Sequence, residues 1–161
     1  MMTTDLVGKK ELEKCITDFV APFGLTAVLD TDFAYYYAKD TVTFSIFYIN
    51  GNKDFMLDAE SRFPRVYGVS PFIWSLLHEI GHHETWDELT EEEIDESMQI
   101  KESIDVDNHA SRMAYYACPD EYAATDWAGH YIETHREKVE EFWYKVMAAL
   151  KKFYAKNNIS E

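Results

Sequence analysis

The stretch Ser70-Pro71-Phe72-Ile73-Trp74-Ser75-Leu76-Leu77-His78-Glu79-Ile80-Gly81-His82-His83 predicts a helix with two different faces. Ser70 is a good N-cap, and Pro71 suits the first helical position, where its missing N–H costs no bond. At about 100° per residue, Phe72, Ile73, Leu76, Leu77 and Ile80 gather on one side. His78 and His82 fall on the other, stacked one turn apart. One face is made for a core, and the other presents two imidazoles.

That spacing suits a metal. Zinc in a catalytic site takes three protein ligands and keeps a fourth position for water. Histidines at i and i+4 supply two of the three. Glu79, turned about 100° from His78, reaches the water rather than the metal and is placed to take its proton as general base. The bland alternative is a chance pentapeptide on a surface helix. It leaves the split between the two faces unexplained.

Around this stretch, 161 residues make one domain the simplest reading, spanning 1–161 with an acidic insert at 87–107. A hydrophobic content of 47%, with 16% aromatic residues, excludes a disordered chain. The formal net charge of −15 argues against nucleic acid or an anionic membrane as a direct partner. Cys15 and Cys118 are too few for a disulfide framework and read as reduced thiols in a cytoplasmic protein. The start Met1-Met2-Thr3-Thr4-Asp5 lacks a basic, apolar leader, so no signal peptide is expected. The apolar stretch Phe19–Leu29 is broken by Pro22 and Gly24 and is too short to span a bilayer.

In chain order, residues 4–19 predict an amphipathic helix ended by Pro22 and Gly24. Short strands follow at Leu25–Asp30, Phe33–Ala38 and Thr41–Ile49, with Lys39-Asp40 as a tight turn. In the last of these, Val42, Phe44 and Ile46 alternate with Thr41, Thr43 and Ser45. Asn50-Gly51 is a hairpin signal leading to a weaker strand near Phe55–Asp58. An antiparallel meander is the economical arrangement. Tyr35-Tyr36-Tyr37 reads as ordinary strand aromatics rather than a binding platform.

Residues 59–69 read as a loop. Between Asp87 and Asp107, ten acids face one base, Lys101, and the run reads as a solvated face, with a docking surface for a basic partner as the alternative. Thr90 with Glu93 forms a capping box, so part of the insert is helical. Further helices are expected at 104–117 and, opened by Pro119-Asp120-Glu121, at 122–132. A last helix should begin at a second capping box, Thr134 with Glu137. The whole is an α+β architecture: a small antiparallel sheet packed on the metal helix, with C-terminal helices beyond.

The third ligand has to come from a later element. A metzincin continuation would need Gly and His where this chain has Thr85 and Glu88, so that branch is excluded. In Glu121-Tyr122-Ala123-Ala124-Thr125-Asp126-Trp127-Ala128, one face carries Glu121, Ala124, Thr125 and Ala128. The two alanines would let that helix approach the metal helix. Asp107-Asn108-His109-Ala110-Ser111-Arg112-Met113-Ala114 carries a similar pattern with a shorter acid. Asp107 and His109 therefore stand as alternatives to Glu121. His83, His130 and His135 have no recruiting spacing.

His78-Glu79-Ile80-Gly81-His82 followed by Glu121-x-x-Ala124-Thr125-x-Trp127-Ala128 resembles the gluzincin-type minimal zincins of the ImmA/IrrE-like family, across roughly residues 70–132. That family carries H-E-x-x-H and then E-x-x-A-N/D-x-F-A. The resemblance implies a minimal zincin fold, one zinc, and peptidase activity, often on repressor proteins of phages and mobile elements. It implies His78, His82 and Glu121 as ligands and Glu79 as catalytic base. Thr125 stands where the family has Asp or Asn, which should weaken the bond that orients a ligand histidine. The acidic insert also lengthens the gap between the motifs.

Two functions from different classes follow. One is a zinc-dependent peptidase acting on a protein or peptide substrate, which could pair with the strand Thr41–Ile49. The other is an inactive zincin-fold binding protein with a structural metal, whose insert docks a basic partner. Tyr115, Tyr116, Tyr131 and His130 are candidates for stabilising a tetrahedral oxyanion.

Overall fold

Gly8 sets the first helix: its φ of 80° breaks the preceding chain and lets α1 (Lys9–Val20) begin there. α1 buries Leu12, Ile16 and Val20, a four-residue repeat that gives it one core face. Its expected start at Thr4 lies outside the described residues, which are 6–48, 53–66 and 68–159 in this computed structural model. A 3-10 turn at Ala21–Phe23 and Gly24, at φ 81°, close the element.

Three strands follow, β1 (Thr26–Leu29), β2 (Ala34–Tyr36) and β3 (Thr41–Phe44). They form a mixed sheet in the order β1-β3-β2, not the expected antiparallel meander. β1 runs parallel to β3, and β2 antiparallel to it. Alternation reports which face a residue takes, not which strand lies between the others. As the central strand, β3 buries even the polar Thr43, and Ser45 just beyond its end is buried too, each 4% exposed. The Thr43 hydroxyl donates to Asp32 O at 2.7 Å, so its burial leaves no orphan.

The two outer edges differ. On β1, the Ala27 N–H donates to Thr17 Oγ1 at 3.0 Å and the Leu29 N–H to Glu13 Oε2 at 2.8 Å, both from α1. Side chains of a helix thereby occupy the donors another strand would need. β2 is the opposite edge. β3 is enclosed, so it cannot receive a peptide as the sequence suggested.

The weak strand expected at Phe55–Asp58 is instead α2 (Lys53–Arg62). Phe55 and Ala59, four apart, are its buried residues, and Asp58 pairs with Arg62 at the same spacing. Helical periodicity overrides the local apolar triplet. The strand expected at 41–49 stops at Phe44, with residues 45–48 outside any strand, and Ile49 with the Asn50-Gly51 hairpin signal lies outside the described residues.

α3 (Pro71–Thr85) follows its prediction closely: Ser70 Oγ accepts the Phe72 N–H at 3.1 Å. Phe72, Ile73, Leu76, Leu77 and Ile80 are all 1% exposed or less. α4 (Glu91–Glu102) carries the Thr90–Glu93 capping box with both bonds made. α5 (His109–Ala117) starts later than expected because Asn108, not a residue near Ile104, caps it.

α6 (Pro119–Thr134) and α7 (Arg136–Lys156) complete the chain. The second capping box is not formed. α6 runs through Thr134, whose hydroxyl donates back to His130 O at 2.8 Å instead. α7 buries Val139, Phe142, Val146, Leu150 and Phe153, and Phe142 stacks on Phe19 of α1 at 3.9 Å. The architecture is α+β, with α3 between the sheet and α6. Among the described residues, no helix is long and apolar enough to cross a membrane.

Candidate metal centre

The centre exists because α3 and α6 touch backbone to backbone. A Cβ on Gly81 would lie 2.4 Å from the Ala124 carbonyl oxygen. Only glycine fits there. Ala124 and Ala128 are fully buried on the facing side, as small residues at a close crossing should be. The glycine inside the H-E-x-x-H pentad thus sets the spacing that the histidines need.

Across that spacing Glu121 projects from the first turn of α6 between the two imidazoles. Its Oε1 lies 3.1 Å from His78 Nε2 and its Oε2 2.9 Å from His82 Nε2. His78, His82 and Glu121 form a group whose ligand atoms all lie within 4.8 Å of one another, close enough to hold one metal ion. Tetrahedral bonds of 2.0–2.2 Å place ligand atoms about 3.5 Å apart, so the two imidazole–carboxylate contacts need open only by about half an ångström. Two neutral-capable imidazoles and a carboxylate are the donor set of an open zinc site.

Thr125 Oγ1 sits 2.9 Å from His78 Nδ1, so the orienting bond is made despite the substitution. A hydroxyl both donates and accepts. It therefore suits His78 whether Nε2 carries a proton toward Glu121 or offers its lone pair to an ion.

Burial by itself would push the Glu121 carboxyl up, but hydrogen bonds from His78 and His82 outweigh it and hold it far below the usual range. Burial would likewise lower His82, yet its bond to Glu121 and that carboxylate's charge leave it raised. Glu79 goes the other way: burial raises its carboxyl more than the two imidazoles lower it.

A third element completes the centre. Lys101, near the end of α4, places Nζ 3.1 Å from Glu121 Oε2 and 2.5 Å from Asp120 Oδ2. Asp120 Oδ1 in turn accepts the Glu121 N–H at 2.8 Å and the Cys118 S–H at 3.2 Å. Burial and that Asp120 contact push the Cys118 thiol up to about 11. The Asp120 N–H donates to Ser97 Oγ at 3.1 Å, a second tie between α4 and α6. The insert is therefore not a pure surface excursion.

Beside His78, Glu79 and Glu121 opens a cavity of about 430 Å³, walled by Phe33, Phe55, Tyr115 and Tyr116. A second depression follows Ala34, Tyr35 and Tyr37 along the β2 edge and meets Glu79, His82 and Lys101. Glu79 borders both.

Of the alternatives for the third position, Asp107 and His109 are both exposed, and His109 leans on Asp54 at 3.5 Å. Neither belongs to the group. Of the oxyanion candidates, Tyr115 and Tyr116 line the cavity, whereas Tyr131 stacks on Trp127 and His135, and His130 is exposed beside Asp126. His83 bridges the Tyr35 hydroxyl and Phe23 O, 2.9 Å from each, tying β2 to the metal helix. Sequence reasoning missed Lys101, Asp120 and the role of Gly81. The one base among ten acids was the visible signal for Lys101. No protein-family model, curated protein or solved structure matches this chain.

Proposed function

We propose that the protein is a zinc-dependent peptidase of the ImmA/IrrE-like minimal zincin type. The observation that carries this reading is the buried meeting of His78, His82 and Glu121 beside Glu79, at the junction of two open depressions. A purely structural metal has no use for a carboxylate held next to it and facing open space.

When bound, zinc would supply Lewis acidity and make water nucleophilic at neutral pH. The remaining work falls to side chains. Glu79 accepts the proton of the attacking water and returns it to the departing amine. Tyr115, whose phenol burial and the Glu121 charge keep protonated, faces the same cavity and can donate to the oxygen that becomes negative. An extended peptide would add to the β2 edge, which runs along the depression that reaches Glu79 and His82. The two free thiols, Cys15 and Cys118, fit a cytoplasmic protein acting on a cytoplasmic protein substrate.

The test couples metal content to cleavage. The purified protein should carry about one zinc, and Glu121→Ala should weaken its affinity at least about tenfold, with Asp107→Ala unchanged. Glu79→Gln should keep the zinc and lose cleavage of candidate partners. Equal cleavage by wild type and Glu79→Gln would end the catalytic reading. A zinc-loaded wild type that cleaves nothing, yet captures a basic protein through the insert, would move the assignment to a binding protein.

A further inference from the structure

We propose that Lys101 is the resident counter-cation of this centre: its ammonium neutralises the buried acid pair when no metal is present, and competes with the metal for Glu121. The inference rests on the metal-centre reading above and adds a sign to it.

Asp120 and Glu121 are adjacent in sequence, 6% and 5% exposed, and both point to one side of α6. Two buried carboxylates so close together demand a cation. Among the described residues, the lysine or arginine that pairs with either is Lys101. A lysine in a helix's last turn ordinarily extends into solvent, where the helix dipole already favours it. Lys101 reaches across to another helix instead, and its side chain is only 32% exposed. Its helix fully buries no apolar residue that would bring it there: Ile94 and Ile100 are half-buried, and Ser97 is the residue α4 buries. The ammonium is what α4 delivers to the centre.

Glu121 Oε2 is the shared atom. It faces His82 Nε2 at 2.9 Å and Lys101 Nζ at 3.1 Å. A divalent ion held by His78, His82 and Glu121 would therefore sit next to the ammonium across one carboxylate. Outer partners of metal ligands usually strengthen binding, because they orient the ligand without adding a charge of the ion's own sign. Lys101 adds that charge. Glu121 is already aimed by two imidazoles, so the ammonium contributes little orientation and much repulsion.

Coupling of this kind is reciprocal. Lys101 lowers the affinity for the ion, and the ion loosens Lys101 from Glu121, leaving it on Asp120. The metal-free protein keeps its acid pair neutralised and α4 docked, so the ion can leave without unfolding the centre.

Zinc affinity of the full chain, measured by competition with a chromogenic chelator, tests this alongside thermal unfolding with and without zinc. Lys101→Met should bind zinc at least about tenfold more tightly than wild type, while Lys101→Arg, which keeps the charge, should match wild type. Metal-free Lys101→Met should melt below wild type, and zinc should raise its Tm by more than it raises the wild type's. Should Lys101→Met fail to fold without zinc, the double variant Lys101→Met/Glu121→Gln, which removes the anion the lysine answers, should fold. Equal or weaker zinc affinity in Lys101→Met would overturn the inference. So would an equal fall in Tm with and without zinc, or a double variant that also fails to fold. Wild type that takes up no zinc would refute the metal centre itself, and would do so before any variant is made.

Discussion

α3 and α4 are both helices with well-made N-terminal caps, and they are held in place by opposite means. α3 buries nine of its fifteen residues, while α4 buries one of twelve. α3 is fixed by apolar area on the sheet side and by a backbone contact at Gly81 on the other. α4 is fixed by a capping box, the Ser97–Asp120 bond and the Lys101 ion pairs. The difference divides the centre's labour. The two histidines of the candidate centre sit on the helix the core owns, and the charge proposed to respond to the ion arrives on a helix held mainly by polar contacts.

The contrast breaks first at Phe72, fully buried among Phe33, Phe44, Tyr48 and Trp143. Phe72→Ala should cost about 4 kcal/mol, read as a lower urea midpoint at unchanged slope. A loss near zero would mean that α3 is not what the core holds. Next comes Gly81→Ala, where the added methyl meets the Ala124 carbonyl. A cost of about 3 kcal/mol is expected, together with weakened zinc binding, because α6 must back away and carry Glu121 with it. Full zinc affinity in that variant would show the helices crossing with room to spare.

On the α4 side the effects should be smaller and local. Thr90→Ala removes the hydroxyl that accepts the Glu93 N–H and leaves the reverse bond from the residue-90 backbone N–H to Glu93, and should cost about 1 kcal/mol. Amide exchange should quicken over Ile94–Met98 and stay slow over Leu76–Ile80. Uniform quickening would erase the distinction between the two helices. The smallest effect is expected from Glu92→Gln with Asp95→Asn, two exposed acids facing solvent, at under about 0.5 kcal/mol. A large change in zinc affinity there would extend the counter-charge argument beyond Lys101.

Legibility in the sequence follows the same division. α3, α6 and α7 were readable because their apolar periods act within one segment, helped by the Ser70 cap in α3 and by Pro119 at the start of α6. Glu121 was readable because Ala124 and Ala128 mark a close crossing on its own face. Strand order was not, since the alternation in Thr41–Ser45 is the same whether β3 is central or outermost. α2 hid behind the triplet Phe55-Met56-Leu57, whose partners come from elsewhere in the chain. Thr134 followed by Glu137 has the spacing of a cap, but the preceding helix had already claimed Thr134. Lys101 stood in plain view, yet nothing local says that a lone base in an acidic run turns inward. That depends on Asp120 and Glu121, about twenty residues on.

The sealed outer edge of β1 bears on how copies of this chain can associate. A sheet open on both sides can recruit strand after strand into an unlimited ladder. Here Thr17 and Glu13 have already spent the β1 donors. Two copies meeting β2 to β2 would join their three-stranded sheets into one, with a sealed β1 at either end. Growth would stop at two, and the joint would lie across the depression leading to Glu79. Among the described strands, the edge proposed to receive a peptide is thus the one left for self-pairing through this sheet, and occupancy by one would forbid the other.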